Sequence, residues 1–162
     1  MQGDISEVTG EPFYSYSWDM VRAVLRVLNL DEGKLARVTQ VMVNGYQEQV
    51  DRNIDGILED VYHVPFRAMN QVQPNGKTKR VFPGDLRAVA VYWTAGLLLM
   101  NEFQNLEQNM TDQATAYIED SRKRAYALRR FTHRIRGQEF KSNISRFLPA
   151  NLQPPEIVEP DF

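Results

Sequence analysis

One stretch constrains this chain more than any other: "AVAVYWTAGLLLM", Ala88–Met100. Its thirteen residues carry no charge. A bilayer crossing takes about 20 apolar residues, so the stretch is expected inside a protein core rather than across a membrane. A helix that is apolar on every side has to be covered on every side. The remaining chain must therefore supply amphipathic partners that surround it. Leu86, Val89, Ala90, Trp93, Leu97, Met100 and Phe103 carry the helical period. Pro83 stands where prolines open helices, and Asp85 follows in the first turn, where the helix dipole favours an acid.

The partners follow from the same periodicity. Ser17 precedes "WDMVRAVLRVLNL", in which Met20, Val24, Val27 and Leu28 fall at helical spacing, so a short helix capped by Ser17 is expected to end near Asn29. From Asp31 onward Leu35, Val38, Met42, Tyr46, Val50, Ile54, Ile57, Leu58 and Val61 form one stripe. That stripe predicts a single second helix of about eight turns. It must finish near Tyr62, because Pro65 pushes Val64 away from helical geometry. A further helix, capped by Thr111 or Asn109, carries Tyr117, Ile118, Ser121, Ala125, Leu128, Phe131 and Ile135 inward and ends at Gly137.

Between the second helix and the apolar one, Phe66–Phe82 reads as a long loop with a turn signal at Pro74-Asn75-Gly76. A β-hairpin across "AMNQV" and "TKRVF" is the alternative. Residues 1–16 show no period and read as an extended or mobile N-terminal arm, residues 17–136 as a helical domain, and residues 137–162 as an extended C-terminal docking arm. Four prolines in "PANLQPPEIVEPDF" argue against a packed element there, while Leu152, Ile157, Val158 and Phe162 give it apolar points with which to dock. The expected fold class is all-α: a small bundle of three to four helices with extended arms at both ends.

Catalytic chemistry finds little to stand on. There is no Cys, which removes thiol catalysis, disulfides and zinc ribbons. Asp60 and Glu59 lie three and four residues before His63, a spacing that shares one helix face, but His133 has no acid at either spacing. A carboxylate-bridged metal pair needs that motif on two helices, so no metal and no cofactor is expected. Glu48, Asp51, Asp55 and Glu59 form a carboxylate stripe interleaved with Arg52, opposite the apolar stripe. It reads as a solvated or docking face rather than an acid–base pair, which needs one desolvated member. No nucleophile elbow or phosphate-cradling glycine loop occurs, and the chain is not expected to be an enzyme. The N-terminus lacks a charged n-region followed by an apolar h-region, so no secretory leader is expected.

Charge is more informative than the net value of −2. Residues 1–120 carry 10 basic and 17 acidic side chains, a balance of −7. Residues 121–146 carry nine basic side chains against Glu139 alone, a balance of +8. Such segregation suits a chain that meets charged neighbours. Arg122, Lys123, Arg124, Arg129, Arg130, Arg134 and Arg136 would contact a partner or DNA, and Lys77, Lys79 and Arg80 form a second basic cluster at the loop tip. A basic helix is also what a plain solvated face looks like.

The order of elements carries a resemblance. A long helix holds Ile54, Leu58 and Tyr62 at four-residue spacing and stops at Pro65, with the apolar Phe66 after it. A loop follows, then Pro83-x-x-Leu86 opens a buried helix rich in alanine and aromatics, and an amphipathic helix comes last. Over roughly Leu35 to Phe131 this resembles the head–tail connector (adaptor, or head completion) proteins of tailed bacteriophages. The resemblance implies a virion protein made in the host cytoplasm and placed in the neck between capsid and tail. It implies a homo-oligomeric ring, usually of twelve subunits, that sits under the portal protein and extends the DNA channel. The next neck or tail protein would dock on it, and double-stranded DNA would pass through it without sequence-specific contact. Two other readings remain at this point. One is a small helical DNA-binding or DNA-packaging factor that uses the basic helix 121–146, and the other a scaffold module without a channel role.

Overall fold

In a computed structural model of the protein, the residues described are 5–15, 17–27, 32–103, 108–130, 135, 138 and 141. The apolar run forms the middle of a 19-residue helix, α4 (Gly84–Glu102), preceded in chain order by α1 (Trp18–Val27), α2 (Glu32–Leu35), α3 (Gln40–Leu58) and a hairpin of β1 (Met69–Val72) and β2 (Thr78–Val81). Helix α5 (Gln108–Leu128) follows it. The described chain is thus mostly helical, with one small antiparallel sheet. None of its helices is long and apolar enough to cross a membrane.

α4 is central because both halves are buried, each in a different cluster. Its first half, with Leu86, Val89, Ala90 and Trp93, packs among Val50, Ile54, Leu58, Tyr62 and Phe66. Its second half, with Ala95, Leu98 and Leu99, packs among Val21, Leu25, Leu35 and Val43. Met100, expected inward, is instead about half exposed. The closest approach is to α5. A Cβ on Gly96 would lie 2.8 Å from Ile118 Cγ1 and 3.0 Å from the Ala114 carbonyl oxygen, so only a residue without one lets the two backbones meet.

The open choice between loop and hairpin resolves as a hairpin, in the register Met69↔Val81 through Val72↔Thr78. Its turn uses the expected residues. Gly76 takes a positive φ of 77°, and Asn75 Oδ1 accepts the Lys77 N–H.

Several expectations are corrected. The single eight-turn second helix is two helices, because Thr39 leaves helical geometry and its hydroxyl oxygen accepts the Met42 N–H as an N-cap. The break lets Leu35 and Val38 turn onto the second core cluster. That helix also ends at Leu58, one turn early, with Val61 and Tyr62 N–H groups folding back onto the Leu58 carbonyl. On α1 the inward residues are Val21 and Leu25, whereas Val27 is 77% exposed, so the stripe is rotated from the one expected. The last helix stops at Leu128 rather than Gly137: Arg129 and Arg130 donate to carbonyls three residues back, which tightens and closes the final turn.

A last correction concerns the N-terminal arm. Residues 5–15 form a strap packed on α3, closed on itself by an Ile5–Pro12 bridge and by a turn in which the Gly10 N–H donates to the Ser6 carbonyl. Phe13, Tyr14 and Ser15 are all buried. The lack of periodicity reflected an irregular backbone, not an unpacked one.

Candidate interaction surface on the last helix

Two charged faces compete for attention, and the geometry separates them. On α3 the strap covers the carboxylates. The Ser6 hydroxyl donates to Glu48, the Tyr14 N–H donates to Asp51 Oδ2 at 3.1 Å, and the Tyr14 hydroxyl donates to Asp55 Oδ1 at 2.6 Å. The same hydroxyl accepts the Phe66 N–H at 2.9 Å, tying strap, helix and corner through one oxygen. Burial pushes Asp51 well above the usual carboxylate range; the Tyr14 N–H opposes this, and the charges of Asp55 and Glu48 add to it. Burial likewise pushes Asp55 up to about 6, against the Tyr14 hydrogen bond and with help from Glu59. The reading of this stripe as a solvated or docking face is overturned for Glu48, Asp51 and Asp55, because an unperiodic segment elsewhere in the chain provides their donors. Glu59 stays exposed.

A signal for this was present. α3 buries Gln47, Ile54 and Leu58, and Asp51 continues that line at i, i+4, i+7 and i+11. The aromatic pair Phe13-Tyr14 in an otherwise polar arm was the other half of it.

The corner after α3 is built by aromatics. Tyr62 is fully buried, its hydroxyl accepts the Ile135 N–H at 3.1 Å, and its ring meets Phe66 edge-on at 5.7 Å. Tyr14 stands edge-on to Phe66 and to Phe82. The Val64–Pro65 peptide is cis. Gln138 clasps Arg67, donating to its carbonyl and accepting its N–H, and the Lys141 N–H donates to the Val61 carbonyl. Of the motif residues, Ile54, Leu58, Tyr62 and Leu86 therefore lie in one core cluster, Pro83 is buried beside it, and Pro65 is exposed. His63 lines an open cleft of about 710 Å³ with Glu11, Arg67 and Gln138. No group of three or more acids or histidines that could hold a metal occurs among the described residues.

The α5 face differs in kind. Arg122, Lys123, Arg124 and Arg130 are exposed, and none forms an ion pair among the described residues. Arg122, Lys123 and Arg130 border an open depression of about 610 Å³ with the acid Glu119 and with Tyr126, which is 48% exposed. Arg129 is set apart from them, paired with Asp60 at 2.9 Å. On the hairpin, Lys77 and Lys79 are exposed, while Arg80 pairs with Glu11 of the strap at 2.7 Å. The loop-tip cluster is thus partly spent on internal structure. Arg134, Arg136, Leu152, Ile157, Val158 and Phe162 lie outside the described residues.

The α5 face can attract an anionic surface and offers an aromatic to lie against it. Nothing in it sets up a nucleophile and a base. Comparison with family models, with curated proteins and with solved structures found no match for this chain.

Proposed function

We propose that the protein is a structural subunit of a tailed-phage virion, a head–tail connector that assembles as a ring between the portal and the next neck or tail protein. The observation that carries this reading is the exposed cationic face of α5, with Arg122, Lys123, Arg124 and Arg130 free of carboxylate partners among the described residues. A predominantly cationic face left open, with Glu119 its one acid at the depression, is complementary to an anionic partner and fixes its register more than its affinity. A small helical body that carries a hairpin between α3 and α4 is compatible with this role.

The geometry sharpens one part of the reading. A ring needs two different faces on each subunit, since each meets a different face of the next. Glu48, Asp51 and Asp55 are taken up by the strap, so they are poor acceptors for a neighbour's α5, whereas Glu59 and Asp120 stay exposed. The anionic partner of α5 is then one of these exposed acids on a neighbouring subunit, the portal, the neck protein or the backbone of passing DNA.

The test is to mix the purified full chain with isolated portal and image the product by negative stain. Rings seated on the portal are expected, with DNA affinity that is weak, non-specific and steeply salt-dependent. Tight sequence-specific DNA binding by a monomer or dimer at physiological salt, with no ring on the portal, would instead establish the DNA-binding factor.

A further inference from the structure

Beneath the strap, two acceptors lack a donor. Asp51 Oδ1 and Gln47 Oε1 are both closed off from solvent, and neither receives a hydrogen bond among the described residues. The other end of each side chain is engaged: Asp51 Oδ2 accepts the Tyr14 N–H, and Gln47 Nε2 donates to Ser15 Oγ at 2.7 Å. Unpaired buried acceptors are costly, and native proteins rarely leave them so. Gln47 and Asp51 are one helical turn apart on α3, neighbours on the same face.

A single proton resolves both. Placed on Asp51 Oδ1, it turns that oxygen into a donor toward Gln47 Oε1. We infer that Asp51 is held as a neutral carboxylic acid hydrogen-bonded to Gln47, and that fastening the strap on α3 takes up this proton.

The surroundings favour the neutral form. On α3 itself, the charges acting on Asp51 are those of Asp55 and Glu48, both acidic. On the strap, Glu11 is already paired with Arg80 of β2, and burial together with Asp55 pushes the Tyr14 phenol upward. The corner loop presents the Phe66 amide, which is spent on the Tyr14 hydroxyl. No cation forms an ion pair with Asp51 among the described residues. An ionised carboxylate buried between two acids is the arrangement that a proton relieves.

The strap is consequently a proton-linked latch. When it opens, Asp51 returns to an ordinary aspartate, ionised above about pH 4. The closed form binds the extra proton, so closure is favoured as pH falls and weakens as pH rises. Each linked proton changes the closing equilibrium about tenfold per pH unit. Asp55, pushed up to about 6, adds a second linked proton below that value.

Carbon-13 NMR of the side-chain carboxyls in the full chain tests this directly. The Asp51 resonance is expected to stay at its protonated position through the titration of Asp55 near pH 6. The competing arrangement turns the Gln47 amide over, so that its nitrogen donates to an ionised Asp51 and the Ser15 hydroxyl donates to its oxygen. In that case Asp51 shows a carboxylate resonance at pH 6, and the inference is overturned. Hydrogen exchange at the Tyr14 amide, corrected for the intrinsic base-catalysed rate, supplies a second readout. Above about pH 6, opening in the native chain is expected to increase about tenfold per pH unit. Asp51→Asn offers the same donor to Gln47 and the same acceptor to Tyr14, so it should keep the strap closed and abolish that dependence. A variant that opens the strap, or that keeps the slope, refutes the latch.

Discussion

The carboxylates of α3 and the cations at the end of α5 look alike in sequence: a cluster of one charge sign along an amphipathic helix. In the folded protein they have opposite fates. Glu48, Asp51 and Asp55 are covered and each accepts a donor from residues 5–15, while Arg122, Lys123, Arg124 and Arg130 face open solvent. Helical periodicity reports which side of a helix avoids its nearest apolar neighbours. It does not report whether another segment returns to cover the polar side. A charged stripe becomes an interaction surface only after the rest of the chain has declined to use it.

The largest effect expected from breaking this contrast is at Tyr14. Tyr14→Ala removes a buried ring from the first core cluster and should cost about 3–5 kcal/mol in chemical denaturation, the range for large aromatic truncations. The matching Tyr126→Ala on α5 should stay within about 0.5 kcal/mol, as substitutions at open surface positions do. If the two variants cost the same, the strap is not part of the core.

Tyr14→Phe keeps the ring and removes only the hydroxyl, leaving an Asp55 oxygen and the Phe66 N–H without that partner. A loss of about 1–3 kcal/mol is expected from the unpaired groups. Solvent entering the site would reduce it, which a smaller loss in the same denaturation series would reveal.

Asp55 gives the covered face a pH dependence of defined sign. Its folded value, about 6, lies above the ordinary value near 4, so its contribution is complete below about pH 4 and is lost as pH rises through about 6. Asp55→Asn should flatten that part of the stability profile. Replacing the α5 cations should leave it in place.

Smaller still is the ion pair between Arg129 and Asp60, half-buried at one end and exposed at the other. A double-mutant cycle should return about 0.2–1 kcal/mol, decreasing with salt. Smallest in stability is charge reversal of Arg122, Lys123 and Arg130 to Glu, expected within about 0.5 kcal/mol per site. Those three reversals should nevertheless prevent docking on isolated portal, measured by co-sedimentation. Undiminished docking would remove the role assigned to the open face.

What was legible in the sequence was local. The hairpin turn at Asn75-Gly76, the helix opening after Pro83 and the burial of most of the Ala88–Met100 run, Tyr92 and Met100 excepted, each depend on residues within a few positions of one another. What was not legible depended on distant partners. Leu35 and Val38 fit the long stripe on either side of Thr39, so the break there is visible only once both turn onto α4. Val21 and Leu25 lie one residue along from Met20 and Val24, a rotation of about 100° that apolar spacing alone does not resolve. Residues 5–15 have no period because their hydrogen bonds go to a helix some forty residues away.

The near-contact of backbones at Gly96 bears on how the open face would work under stress. At Gly96 α4 presents no side chain of its own, so Ile118 and the Ala114 carbonyl of α5 pack directly on its backbone, and α4 runs through both core clusters. Tightly packed interiors compress little and transmit strain. A pull or push on the cations of α5 therefore reaches the whole body at once instead of being absorbed by a yielding layer. The cationic face is mounted on a stiff strut, so its charges keep their spacing when a load is applied.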